Sequence, residues 1–106
     1  MGIDKDRVKQ ALDKVFRDMA GAMTAGMVYV GIKTGLWRTM AGKGAMTAPE
    51  VVKLSGLNPR YVEEWLKGTV AAGYLDYDPS GETYALPEEH AYFLASESLT
   101  NVATYA

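Results

Sequence analysis

The chain contains no cysteine and only one histidine, His90, among its 106 residues. Without thiols it cannot form a disulfide, a thiolate metal site or a cysteine nucleophile. No serine motif accompanies the single imidazole, so we expect His90 to be a surface or packing residue and not a general base. The composition therefore argues against a catalytic centre, and the absence of cysteine suits the reducing cytoplasm.

Long apolar runs and phosphate-binding motifs are also lacking. The longest weakly charged run, residues 19–32, is shorter than the ~20 residues that span a bilayer and is interrupted by glycine. The N-terminus has no signal-peptide core. Lys43 is followed by Gly44 where a P-loop requires Ser or Thr, and no G-x-G-x-x-G occurs. We expect a cytoplasmic chain that has no cofactor or metal site and catalyses nothing by itself.

Basic residues are missing from the last third of the sequence. All 11 Lys and Arg lie in residues 1–67 beside seven acidic residues, which gives a balance of +4. Residues 68–106 hold six acidic residues and no basic one, a balance of −6. Affinity for duplex DNA comes mainly from neutralised phosphates. This distribution therefore disfavours nucleic acid as a partner.

Two helix starts follow one another between residues 46 and 60. Thr47 and Glu50 have the spacing of a capping box, in which each side chain binds the backbone N–H of the other residue. Eleven residues later, Asn58 can cap a second helix that Pro59 opens, since proline is well tolerated at a first helical position. The pattern predicts helices over residues 48–55 and 59–72.

Glycines and a hairpin complete this pattern. Gly56 and Gly73 supply the left-handed positions that end the two helices. Residues 74–78 and 82–86 alternate between apolar and polar side chains on either side of a Pro-Ser-Gly turn, which predicts two strands. A short helix follows over residues 88–95. The fold class is therefore mainly α with a small β-hairpin: a winged helix-turn-helix with a long N-terminal helical extension.

Apolar spacing assigns the core of this motif. We expect a turn into a short helix at residues 35–40, and helices 48–55 and 59–72 that each bury one face. The residues predicted to be buried are Leu36, Trp37, Met40, Val51, Val52, Leu54, Val62, Trp65, Leu66 and Val70.

The N-terminal extension, from Asp4 to about Lys33, carries apolar residues at steps of three and four and reads as one amphipathic helix. Thirty residues would extend about 45 Å, far beyond a domain whose expected radius of gyration is about 13 Å. The helix must therefore bend or project, and we expect a kink or a split between Gly21 and Gly26.

Methionines on this helix have two interpretations. Methionine at helical spacing is most often adaptable core filler. Small residues nearby permit close backbone approach, however, and a helix that its own domain cannot cover needs a partner surface. The predicted dimer seam or wall of a substrate pocket consists of Met19, Met23, Met27 and Val30.

A DNA-binding regulator is the alternative function. The second helix of the motif would then enter the major groove, and its outward cations, Arg60 and Lys67, would make the DNA contacts. Glu63 and Glu64 lie beside them and cancel their charge. A small-molecule sensor with a methionine-lined groove is a weaker third interpretation.

Several segments together resemble one protein family. The most specific is Arg60-Tyr61-Val62-Glu63-Glu64-Trp65-Leu66, followed by Ala71-Ala72-Gly73-Tyr74. Residues 35–37, 46–52, 56–59, 75–78 and 86–91 extend the likeness over nearly the whole chain. The sequence resembles the N-terminal winged-helix domain of class I S-adenosylmethionine (SAM)-dependent methyltransferases, the bacterial relatives of plant-type small-molecule O-methyltransferases.

The resemblance implies a non-catalytic role in dimerisation and in covering the acceptor substrate, within a parent enzyme that transfers methyl groups. It implies that SAM binds in a following domain that this sequence lacks, so no cofactor-binding residue is assigned here. The expected partners are a second copy, the C-terminal methyltransferase domain and a small-molecule acceptor. The expected organisation is an N-terminal helical dimerisation segment, a winged helix-turn-helix and the start of a linker, at residues 1–45, 46–95 and 96–106 respectively.

Overall fold

The computed structural model describes residues 2–95 and confirms a mainly helical winged helix-turn-helix with a long N-terminal helix. The expected linker start, residues 96–106, lies outside the described residues. The elements in chain order are α1 (Lys5–Thr34), α2 (Leu36–Met40), β1 (Met46–Thr47), α3 (Ala48–Ser55), α4 (Pro59–Ala71), β2 (Asp76–Asp78), β3 (Thr83–Ala85) and α5 (Glu88–Leu94).

The two predicted caps form as the sequence indicates. The Thr47 hydroxyl accepts a hydrogen bond from the Glu50 backbone N–H at 3.3 Å, and the Glu50 carboxylate accepts one from the Thr47 backbone N–H at 2.8 Å. These bonds, the backbone one first, lower the pKa of Glu50. The capping box therefore stabilises the fold above the ordinary carboxyl pKa and loses that contribution as the pH falls. Asn58 caps α4 through the backbone N–H groups of Arg60 and Tyr61.

The wing is a sheet of three strands, one more than the hairpin that the sequence predicts. The strand order is β1-β3-β2, both pairings are antiparallel, and Met46 of β1 lies opposite Tyr84 of β3. Tyr77 of β2 lies opposite Tyr84 on the other side, with ring centroids 4.9 Å apart. A strand of two residues shows no alternation of its own, so β1 leaves no recognisable sequence pattern.

The core lies between α2, α3, α4 and the sheet. Seven of the predicted residues are buried in it: Leu36, Trp37, Met40, Val51, Val62, Trp65 and Leu66. Five further residues that the prediction did not include are also buried there: Met46, Leu75, Tyr84, Leu86 and Leu94. Val52 and Val70 are half-buried at its edge.

The prediction that Leu54 belongs to the core is wrong. Leu54 is 58% exposed, because the small core covers only the part of α3 that carries Val51 and Val52. Thr69 of α4 is fully buried in addition to the predicted residues of that helix. Its hydroxyl donates a hydrogen bond to the Trp65 carbonyl at 2.8 Å, which satisfies the polar group within the core.

Helix α1 is continuous from Lys5 to Thr34, so the expected split between Gly21 and Gly26 is wrong. Each glycine costs at most about 1 kcal/mol in a helix, and a Cβ added at either position would meet nothing within 4 Å. No packing therefore forces the helix apart, and it projects from the domain. The longest dimension reaches 60 Å and the radius of gyration is 16.8 Å. Among the helices of residues 2–95, none combines the length and apolar character that crossing a membrane requires.

Candidate functional site

The last third of α1 is fastened to the domain by two tryptophans. The Trp37 indole N–H donates a hydrogen bond to the Val28 carbonyl at 3.1 Å, and the Trp65 indole N–H donates one to the Met27 carbonyl at 2.9 Å. The two indole rings meet edge to face with centroids 4.6 Å apart. Gly31 is buried against Trp37, where a Cβ would lie 2.7 Å from the ring atom Cε2. This joint fixes the direction in which the rest of α1 projects.

The projecting part of α1 carries a line of large apolar side chains in contact with solvent. All are between 51% and 68% exposed, although side chains of this type are normally buried. We call this line the apolar stripe; it consists of Val8, Leu12, Val15, Phe16, Met19 and Met23. A contiguous apolar surface of this kind marks an interaction site.

The structure divides the four residues that the sequence placed in a dimer seam or pocket wall. Met19 and Met23 belong to the apolar stripe and are exposed. Met27 and Val30 are half-buried and pack against the core of their own domain. The four residues therefore run from the free part of α1 to its attached part.

A groove continues the apolar stripe onto the domain. It has a volume of about 280 Å³ between α1 and α4, and we call it the α1–α4 groove. Its lining residues are Met23, Gly26, Met27, Val30, Tyr61, Glu64 and Trp65. Tyr61, Glu64 and Trp65 could not be assigned to this groove from the sequence, because their proximity to α1 depends on the packing of α4 against it.

The α1–α4 groove suits an apolar occupant better than SAM. Its walls are methionine, valine, glycine and aromatic side chains, and its one charged group, Glu64, lies 3.4 Å from the guanidinium of Arg60. SAM carries a charged amino-acid end, a ribose and an adenine, which need several polar partners. The α1–α4 groove therefore does not fit this cofactor.

The face of α4 that would read DNA carries balanced charge. Arg60 and Glu64 form an ion pair one turn apart, and both side chains are largely exposed. Lys67 lies near Glu63 and Glu82 in a cleft between α4 and the wing. Burial raises the pKa of Tyr84 in this cleft, and charge repulsion from the phenol group of Tyr77, then from Glu63 and then from Glu82, raises it further. This face of α4 therefore offers phosphate no excess of positive charge.

His90 is placed as a packing residue. Its ring is half-buried beside Tyr74 with centroids 6.0 Å apart, and its Nδ1 lies 2.8 Å from the Tyr74 carbonyl oxygen. A ring nitrogen at this distance from a carbonyl donates a hydrogen bond to it. Within residues 2–95, no group of three or more His, Asp or Glu side chains is placed to hold a metal ion.

Comparison with known proteins identifies a family for most of this chain. The family model described as the Rv2258c-like winged HTH domain matches residues 21–96, which include the attached part of α1 and the whole winged helix. A comparison with curated protein sequences finds no match.

Three solved structures illustrate the fold. The mitomycin 7-O-methyltransferase MmcR matches 86% of this chain with a TM-score of 0.74 and 19% identity, and PigF with SAH matches 99% with a TM-score of 0.70 and 22% identity. The chain spans only 26% and 31% of the length of these two proteins. The multiple antibiotic-resistance repressor MarR from Listeria monocytogenes matches 99% of this chain and 78% of its own, with a TM-score of 0.53 and 11% identity. At these identities the likeness shows the fold alone.

Proposed function

Because the chain belongs to the family of Rv2258c-like winged HTH domains, we propose that it is the non-catalytic dimerisation and substrate-lid domain of a SAM-dependent O-methyltransferase. The observation that carries the proposal is the apolar stripe, which runs into an apolar groove. The stripe provides a surface for a second copy, and the adjoining groove provides a wall for an apolar acceptor.

Two solved structures support the choice of enzyme class. MmcR is a mitomycin 7-O-methyltransferase, and PigF was solved with SAH, the product that SAM leaves after methyl transfer. Both proteins are more than three times as long as this chain, so we propose that methyl transfer and SAM binding belong to another domain of a cytoplasmic parent protein. In this proposal residues 1–45 form the dimerisation segment, residues 46–95 form the winged helix-turn-helix and residues 96–106 begin the linker.

The proposal is tested on the protein isolated from its own cells with an antibody against this chain. We expect the isolated polypeptide to become labelled when irradiated with radioactive SAM, and excess SAH to abolish the labelling. We expect sedimentation to give a particle of twice the polypeptide mass. A homogeneous native protein that binds no SAM would contradict the methyltransferase assignment.

A DNA-binding regulator remains the second candidate, and the similarity to MarR is the observation that favours it. The balanced charge of α4 opposes it, as do the acidic residues of the wing, Asp76, Asp78 and Glu82. We expect no salt-dependent association with generic duplex DNA near physiological ionic strength, measured by fluorescence anisotropy across a salt series. Steep salt dependence that is reduced in both Arg60→Ala and Lys67→Ala would instead favour the regulator.

A further inference from the structure

The apolar residues of α1 follow an 11-residue period. Val8, Met19 and Val30 are 11 residues apart, as are Leu12 and Met23. Eleven residues in three turns correspond to about 3.67 residues per turn, close to the 3.6 of a straight α-helix. The apolar stripe therefore stays on one side of α1 over its whole length, and a second helix can lie along it without the left-handed winding of a heptad coiled coil.

Two large residues that precede Met19 have small residues at the same distance after it. If two α1 helices pair antiparallel about a two-fold axis at Met19, residues equally distant from it face each other. Leu12 then lies opposite Gly26, and Phe16 lies opposite Ala22. Val8 lies opposite Val30 at the end of the stripe. Leu12 and Phe16 thus meet small residues of the second half, which is how two helices interlock at close approach, whereas Val15 meets Met23 in an apolar contact.

Unfilled space surrounds Gly26, the small residue that would face Leu12 of the second copy. A Cβ added at Gly26 would meet nothing within 4 Å, and Gly26 and Val30 both line the α1–α4 groove.

We propose that the apolar stripe pairs antiparallel with the stripe of a second copy, with Met19 on the two-fold axis and Leu12 of each copy seated in the α1–α4 groove of the other. The inference rests on the dimerisation role proposed above and specifies its geometry. Complete burial of these six half-exposed side chains would remove roughly 600 Å² per copy from water, the lower limit of the ~600–1,000 Å² per partner of a standard interface.

The absence of cysteine makes disulfide trapping a direct test. We expect Met19→Cys to form a disulfide-linked dimer on mild oxidation, because the two Cα atoms would lie close enough at the axis. We expect Leu12→Cys alone to form none, and a mixture of Leu12→Cys with Gly26→Cys to form the mixed dimer. Gln10→Cys, on the opposite side of α1, is the control for random collision and should remain unlinked.

The possible outcomes separate this geometry from dimerisation itself. Sedimentation that shows only monomers at high concentration would overturn both. Dimers in which Leu12→Cys links to itself as readily as Met19→Cys does would indicate a parallel or shifted pairing. That result would overturn the register and leave the dimerisation role standing.

Two matched glycine variants test whether the groove is occupied. Gly21 and Gly26 both lie in α1 with open space around them, so Leu at either position should leave the fold intact. Gly26→Leu fills the place proposed for the partner's Leu12, and we expect the dimer dissociation constant to rise by about tenfold or more. Gly21→Leu, on the other side of the helix, should leave it unchanged. Equal effects, or no effect of Gly26→Leu, would overturn the seating of Leu12 in the groove.

Discussion

Trp65→Ala is expected to lower the free energy of unfolding by about 3–5 kcal/mol. The ring is 3% exposed and meets Trp37 edge to face at 4.6 Å. Its N–H also donates the hydrogen bond that ties α4 to the Met27 carbonyl of α1. Removal of the indole therefore leaves a cavity in the core and loosens the joint from which α1 projects. Denaturant titration followed by circular dichroism measures the loss.

Two further variants make this result specific. Tyr61→Ala, on the same helix but at a position that is 41% exposed, should lower the free energy of unfolding much less than Trp65→Ala does. Folding removes less apolar area from water at that position. Trp65→Phe keeps much of the ring volume and lacks the N–H, so its loss should lie between those of the two alanine variants. A loss below about 1 kcal/mol for Trp65→Ala would contradict the burial of this face of α4.

Features that depend on a few neighbouring residues could be predicted from the sequence. The capping box of Thr47 and Glu50 and the Asn58 cap are set by side chains that reach only two or three residues along the chain. The left-handed glycines at positions 56 and 73 are likewise local, with φ values of 71° and 88°. Such signals placed α3 correctly at both ends and α4 to within one residue at its C-terminus.

Features that depend on distant partners could not be predicted in this way. The strand β1 exists because Met46 and Thr47 pair with Tyr84 and Thr83, more than 35 residues away. Leu54 has the spacing of a core residue, yet the domain is too small to cover it. Helix α1 is continuous because no other part of the domain packs around Gly21 and Gly26, and the sequence alone does not show which residues lie near a glycine.

The candidate site shows the same division. The methionine spacing of α1 indicated a surface, and Met19 and Met23 are indeed exposed. The contribution of α4 to the groove, through Tyr61 and Trp65, depends on a hydrogen bond between residues 38 positions apart. The functional role proposed for this surface stays a prediction until the dimer is measured.

Gly31→Ala is expected to destabilise the domain by about 2 kcal/mol, although alanine favours a helix by up to about 1 kcal/mol relative to glycine. The new Cβ would lie 2.7 Å from Cε2 and 2.8 Å from Cδ1 of Trp37. The indole cannot withdraw easily, because its N–H is bonded to the Val28 carbonyl and its ring packs against Trp65. Either α1 must shift from the core or the tryptophan must leave its place.

Gly21→Ala provides the matched control, since both glycines lie in α1, a Cβ at Gly21 meets nothing within 4 Å, and Gly21 lies outside the proposed dimer contact. We expect this control to gain up to about 1 kcal/mol from helix propensity alone. The propensity term is common to both variants, so the difference between them, about 3 kcal/mol, measures the steric cost at the joint. Equal stabilisation of both variants in thermal and denaturant unfolding would mean that α1 does not pack on Trp37. The direction of the apolar stripe relative to the domain would then be lost as well, because this contact and the Trp65 hydrogen bond together set it.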